Sequence, residues 1–371
     1  MRILCWYRPR RAAGGAGAAI RPAVVFYNTM LQYFGVFSVR YLRPALIVCS
    51  FAAALCLGGT AHALTRAELY QATVPVAESC EAAQPAAYQT AMKIVLVRVT
   101  GRTSAEEDPS LGPLIGNAHR YVQQCRRVAG KGLWVSFDGP AIERWLTQNG
   151  QPLWGHERPK TFVWLTAQTG PQSGTVVTAD DTSELKIAVD AAAASRGLPL
   201  LWPSAADVQR NHLDYAGING TAPSVLAEIG RRMGGEGVLV GRAGNLSAIA
   251  GVRWIHLFQD RSSEYSGTLE GVNRAADLYA EMFAASGTLV PVDIEVAGVA
   301  DVREYAMVQT YLESLTFISH VSVVALTGDT VRFRLATRGG SESLQRTLSL
   351  NGRLQPLAGG DNGTQRFQLR H

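Results

Sequence analysis

Residues 225–245, VLAEIGRRMGGEGVLVGRAGN, constrain the fold more than any other stretch of the chain. Val225, Ile229 and Met233 fall on one side of a helix and Arg231 and Arg232 on another. Gly234-Gly235 ends the helix, and Gly237-Val238-Leu239-Val240-Gly241 follows as a buried strand. A helix delivered directly into a buried strand is the unit from which helix-covered sheets are built. The glycines also exclude one chemistry. A phosphate loop needs a strand, then glycines, then a helix N-terminus with free N–H groups. Here the order is helix, glycines, strand, and the carbonyl end of the helix faces the turn.

The same grammar recurs on both sides. Residues 161–167 (TFVWLTA) read as a strand covered on both faces. Asp181-Thr182-Ser183-Glu184 opens a helix over 185–195, Arg196-Gly197 ends it, and 198–202 read as the next strand. Residues 203–222 form a polar connection. Alternation over 251–259 and 264–269, around a turn at Asp260-Arg261-Ser262, adds antiparallel strands, and a helix over 272–286 closes the domain.

Nearer the N-terminus, 69–76 read as a strand. Residues 85–99 read as a helix with Ala87, Ala91, Ile94, Val95 and Arg98 at helical spacing, stopped at Thr100-Gly101. Residues 109–128, carrying Cys125, read as a second helical region, followed by a strand at 133–137 and a helix at 140–148. At the C-terminus the order is strand 292–296, helix 302–315, strands 321–326 and 331–335, helix 341–350 and strand 354–357, with a closing strand at 365–369. A βαββαβ order is the ferredoxin-like layout.

The expected fold class is therefore α/β (α+β), a mixed sheet with flanking helices plus a smaller C-terminal ferredoxin-like unit. The expected domains are a leader at 1–63, an α/β domain at 64–287, within which 64–150 can stand as a separate subdomain, and the ferredoxin-like domain at 291–371.

The leader explains the charge. The pI is near 9.0, yet all seven basic residues before Leu64 are arginines with no acid among them. From Leu64 onward, 28 basic residues face 30 acidic ones, a formal charge of −2. The basic footprint thus belongs to the leader, and nucleic acid is not an expected partner. Arg40 and Arg43 precede an apolar run at 45–57, followed by Ala61-His62-Ala63, the small-x-small pattern of a signal peptide cleaved after Ala63. The run is short against the roughly 20 residues of a membrane span. Left uncleaved, the segment would be an inner-membrane anchor, the one membrane contact expected. Met30 would make a more ordinary start than Met1. Val48 and Leu55 are too bulky for the residue preceding a lipid-modified cysteine at Cys49 or Cys56.

Export would carry the protein to the periplasm, an oxidising space, with Cys80 and Cys125 left as an even pair. A disulfide between them is expected, two buried thiols being the alternative. Closing that loop contributes about 4 kcal/mol in the chain-entropy model.

The candidate catalytic motifs are incomplete. Ser183-x-x-Lys186 matches the nucleophile element of penicillin-binding enzymes, and Lys160-Thr161 part of a Lys-Thr-Gly element. Phe162 stands where the glycine belongs, and no Ser-Asp-Asn is present. Of His119, His156, His212, His256, His320 and His371, no two have metal-ligand spacing. No catalytic residue, metal site or cofactor is expected. Among the tryptophans, Trp154, beside His156 in a Pro/Gly loop, is the candidate exposed contact.

Together, LYQATVPV, AMKIVLVRVTGR, TFVWLTA, RGLPLLWP and GEGVLVGRAG resemble the bacterial envelope family of domain of unknown function 2066, over residues 64 to about 285. Residues 184–269 are also similar at fold level to α/β domains of TolB and CsgG type, a resemblance that implies a periplasmic protein-contact module and licenses no activity. The resulting expectation is a non-catalytic binding or scaffold protein of the envelope with a protein partner. The alternative is an exported hydrolase whose site forms only in three dimensions, around acids such as Asp207, Asp214 or Asp260.

Overall fold

The computed structural model describes residues 66–76, 85–350, 352–358 and 364–370, all within one compact unit, Gly59–His371. The chain folds as mixed α/β, with three sheets flanked by helices.

The first sheet is small. A turn of helix α1 (Arg66–Leu69) leads into β1 (Gln71–Val74), and helix α2 (Pro85–Thr100) packs over β1 and β3 (Gly132–Phe137). Strand order is β1-β3-β2, with β2 spanning Val122–Val128. The expected helix over 109–128 is not formed. Pro109, Gly112, Pro113 and Gly116 break the first half into 3-10 turns around a short helix α3 (Gly112–Gly116), and the second half is β2. Val122 and Cys125, three apart, mimic helical spacing. In the strand they reach the same side because a register shift between Val122 and Gln124 absorbs the extra residue. Helix α4 (Gly139–Gln148), capped by the Asp138 carboxylate on the Ala141 N–H at 3.0 Å, completes this part.

The central sheet runs β5-β4-β7-β8-β9, with β6 beside β4. Its strands are β4 (Thr161–Gly170), β5 (Ser173–Val176), β6 (Leu200–Leu201), β7 (Gly237–Ala243), β8 (Val252–Phe258) and β9 (Arg261–Ser266). β4 and β7 pair in parallel and the hairpin strands antiparallel. β4 is buried on both faces: Val163 and Leu165 meet helices α5 (Glu184–Arg196) and α9 (Glu270–Phe283), while Phe162 and Trp164 meet α8 (Pro223–Arg232). That two-sided cover is why the strand reads as a continuous apolar run.

Several expected details shift. The strand at 198–202 shrinks to two residues because Pro199 and Pro203 cannot donate to a ladder. The polar connection contains two short helices, α6 (Ala205–Arg210) and α7 (Tyr215–Gly220). In α8 the buried stripe is Leu226, Ala227, Ile229 and Gly230, and Val225 is 50% exposed, because it lies one residue, about 100°, off that stripe. The β8–β9 turn falls on Gln259-Asp260, with Gln259 at φ +52°.

The C-terminal sheet carries the expected βαββαβ order: β10 (Leu289–Ala297), α10 (Val302–Ser314), β11 (Ile318–Thr327), β12 (Thr330–Arg338), α11 (Gly340–Leu350) and β13 (Leu354–Leu357). The closing strand β14 (Gln365–Leu369) adds a twist. It inserts in parallel beside β10 and displaces β13 to the edge, giving β11-β12-β10-β14-β13. Ile294, Val296, Val331, Phe333 and Leu335 alternate into the core. On the other face Arg332 and Arg334 pair across the register with Glu295 and Asp293.

Candidate functional site

The segment between α4 and β4 joins all three sheets. Leu153 exchanges backbone hydrogen bonds with Ala285 at 2.9 and 3.0 Å, and the Trp154 N–H donates to the Val99 carbonyl at 2.7 Å. His156 Nδ1 lies 3.0 Å from the Thr316 hydroxyl, and the Thr316 N–H donates to the Glu157 carboxylate at 2.8 Å. Arg158 then closes the junction.

Arg158 is buried and donates to five carbonyls: Gly155 (2.7 Å), Trp154 (2.9 Å), Arg98 (2.7 Å), Arg196 (2.9 Å) and Gly197 (3.1 Å). Three of these lie at the C-terminal ends of α2 and α5, where unpaired carbonyls and the helix dipole present negative charge. One guanidinium therefore serves the ends of helices from two different sheets. Its planar fork reaches targets that a lysine could not, and its face stacks on Trp154 at 3.9 Å. Burial lowers its pKa to about 9, which leaves the cation intact at neutral pH.

Two further buried arginines extend the junction. Arg98 donates to the carbonyls of Glu68 and Gln71 at 2.9 and 2.8 Å, tying α2 to the α1–β1 turn. Arg196 donates to the Gly101 carbonyl at 2.8 Å and to Asp277 at 2.6 Å. Gly197 caps α5 at φ +65°, a conformation suited to glycine.

A second polar cluster is buried in the central core. The Tyr279 hydroxyl lies 3.3 Å from Thr161 Oγ1 and 2.9 Å from His256 Nε2. Burial alone lowers the His256 pKa to about 4, so the ring is neutral, and burial pushes the Tyr279 phenol well up. A Cβ at Gly237 would fall 1.9 Å from that hydroxyl, so glycine is required for the tyrosine to fit. All three side chains are buried, and they satisfy one another's polar groups within the core.

The residues singled out in the sequence take the following places. Trp154 is not an exposed contact. It is 1% exposed, because the Leu153–Ala285 and Trp154–Val99 backbone pairs draw its loop into the junction. His156 is half-buried on Thr316. Ser183 caps α5 on the Lys186 N–H, and Lys186 pairs with Asp190 at 2.7 Å, so both side chains are engaged within their own helix. Asp207 forms a capping box with Ser204, Asp214 caps α7, and Asp260 sits in a hairpin turn. The structure does not bring these three acids into one site. Cys125 lies on β2, with its sulfur 3.6 Å from the Tyr88 hydroxyl, and Cys80 lies outside the described residues. The leader, with its cleavage site, lies outside them as well.

Sequence reasoning missed the arginine junction. The one signal was Arg98 at core spacing in an apolar helix. Among the described residues no cluster of three His, Cys, Asp or Glu could hold a metal, and no helix is long and apolar enough to cross a membrane. Two clefts touch the junction's surroundings. One of about 340 Å³ lies between α4 and the C-terminal sheet, lined by Glu143, Arg144, Leu153, Thr316 and Arg338. Another of about 700 Å³ lies between Lys160 and α10. In the first, the Glu143 carboxylate is already engaged by the Tyr70 hydroxyl and by Arg66, both at 2.6 Å.

The fold and junction define an α/β protein with three sheets locked by buried arginines. A family model described as a domain of unknown function (DUF8605) matches residues 63–155, the first sheet and its helices. This corrects the resemblance to domain of unknown function 2066, since the matching family is a different one. No curated protein matches the chain. No solved structure matches it either, and the fold-level likeness to TolB and CsgG domains is withdrawn with it.

Proposed function

We propose that this is an exported, non-catalytic binding or scaffold protein of the cell envelope, working through surfaces presented by a rigid three-sheet body. One observation carries the reading: most of the side chains considered for a hydrolytic site are committed to structure. Asp207, Asp214 and Ser183 cap helices, His256 and Tyr279 satisfy one another in the core, and Arg158 caps two helix ends. The signal-peptide pattern supports export, after which Cys80 and Cys125 pair in an oxidising compartment.

Photo-crosslinking from exposed positions in periplasm-containing cells tests the reading. Recurrent adducts to one envelope component are expected. Turnover of a generic ester or peptide substrate that is abolished by replacing Asp207, Asp214 or Asp260 would argue for an enzyme instead.

A further inference from the structure

The hairpin formed by β2 and β3 carries an isolated block of positive charge. From Pro109 to Phe137 the sequence has no acid and contains Arg120, Arg126, Arg127 and Lys131, a formal charge of +4 in a chain that is −2 from Leu64 onward. All four are exposed, and among the described residues none stands within 4.0 Å of a carboxylate. The acids that bound the stretch are occupied: Asp108 binds Ser110 and Arg102, and Asp138 caps α4. Glu78 and Glu81 lie outside the described residues; counted fully against the hairpin, two acids still leave it at +2.

The charge is organised by the strand. β2 is an edge strand, and because successive side chains alternate, Arg126 and Arg127 point to its two sides, while Arg120 precedes it and Lys131 sits in the turn. A seven-residue strand sets these cations over roughly 20 Å, wider than a Debye length of about 8 Å at physiological salt. The face turned away from α2 carries half-buried Trp134 with the Arg126 guanidinium 4.7 Å above its ring, with Thr73 across the register and Ser136 two residues on along the same strand.

Exposed cations spread along a hairpin with a tryptophan beside them match an anionic lipid surface, whose headgroups take the cations and whose interfacial zone takes the indole. An acidic protein would need carboxylates spaced to match; a bilayer supplies charge wherever the hairpin lies. We propose that the β2–β3 hairpin docks the protein peripherally on anionic phospholipid headgroups. This deepens the envelope reading and rests on it only for the choice of membrane.

The test is sedimentation of the full chain with vesicles of phosphatidylcholine alone or containing phosphatidylglycerol. The wild type is compared with R126E/R127E/K131E, and with the neutral R126Q/R127Q/K131Q to keep the result independent of any misfolding from charge reversal. All forms carry the same leader, so the differences between them read the hairpin. Replacing three interfacial cations by glutamine is expected to cut partitioning to anionic vesicles roughly 100-fold, with more for the reversal and little change on phosphatidylcholine. Equal partitioning of wild type and variants on anionic vesicles overturns the proposal. So does charge-dependent capture by an acidic protein or by nucleic acid with none by vesicles. The vesicle result does not depend on export, so its failure is separable from failure of the envelope reading, which fractionation decides.

Discussion

Replacing Arg158 by methionine removes the cation while keeping an apolar stem over Trp154. Five carbonyls then lose a donor. Those of Gly155 and Trp154 belong to the same short loop as Arg158 and are left out of the sum. Those of Arg98, Arg196 and Gly197 are held by the ends of α2 and α5. A buried acceptor without a partner costs about 1–3 kcal/mol, so three fixed ones sum to about 3–9 kcal/mol. Relief from holding one buried charge lowers the expected loss to about 3–6 kcal/mol, near the cost of stripping one partner from a buried ionic network. R158K keeps the charge but has three donors on a flexible stem and falls between.

Urea unfolding monitored by tryptophan fluorescence and far-UV circular dichroism reads both size and cooperativity. Because Arg158 joins helices of two sheets, R158M is expected to lower the midpoint and to separate a shared transition into two, with the two probes no longer coincident. A loss below about 1 kcal/mol with coincident probes would refute the idea that the carbonyls depend on this cation.

Three more outcomes follow from the same packing. G237A places a methyl on the Tyr279 hydroxyl and is expected to cost about 2–3 kcal/mol, with Y279F recovering part of it in a double-mutant cycle by chemical denaturation. His256 titrates near 4 when folded against about 6.5 unfolded. The unfolded state therefore binds more protons between these values, and stability is full above about 6.5 and lost as pH falls toward 4, by about 3 kcal/mol. H256Q flattens that slope in denaturation midpoints taken from pH 7 to pH 4. Removing the Asp138 cap by D138A costs about 1 kcal/mol, read from the thermal midpoint, and shows that α4 is fixed by its N-terminus as well as by its buried Ile142 and Leu146.

Much of this fold was legible because its signals are local. The α8–β7 unit, the Ser183 cap and the β11–β12 hairpin each announce themselves within about a dozen residues through periodicity, a capping side chain or a turn. The misreadings arose where two periodicities coincide or where partners are distant. Val122 and Cys125 carry helical spacing on a bulged strand. Trp154 sits in a Pro/Gly loop that looks like surface, yet its backbone is bonded to Val99 and its neighbour Leu153 to Ala285, residues far away in sequence. Arg158 has no local signature, since its five partners come from three separated segments. The hairpin charge was visible in composition, but only the structure shows its cations exposed on and beside an edge strand, with no carboxylate within 4.0 Å among the described residues.

Export and cysteine pairing are read together from the intact mass of the protein recovered from the periplasmic fraction under non-reducing, alkylating conditions. A chain beginning at Leu64, with Cys80 and Cys125 unalkylated and joined, is the expected result. A full-length chain confined to the cytoplasm with both thiols alkylated would contradict the proposed export and the envelope role built on it.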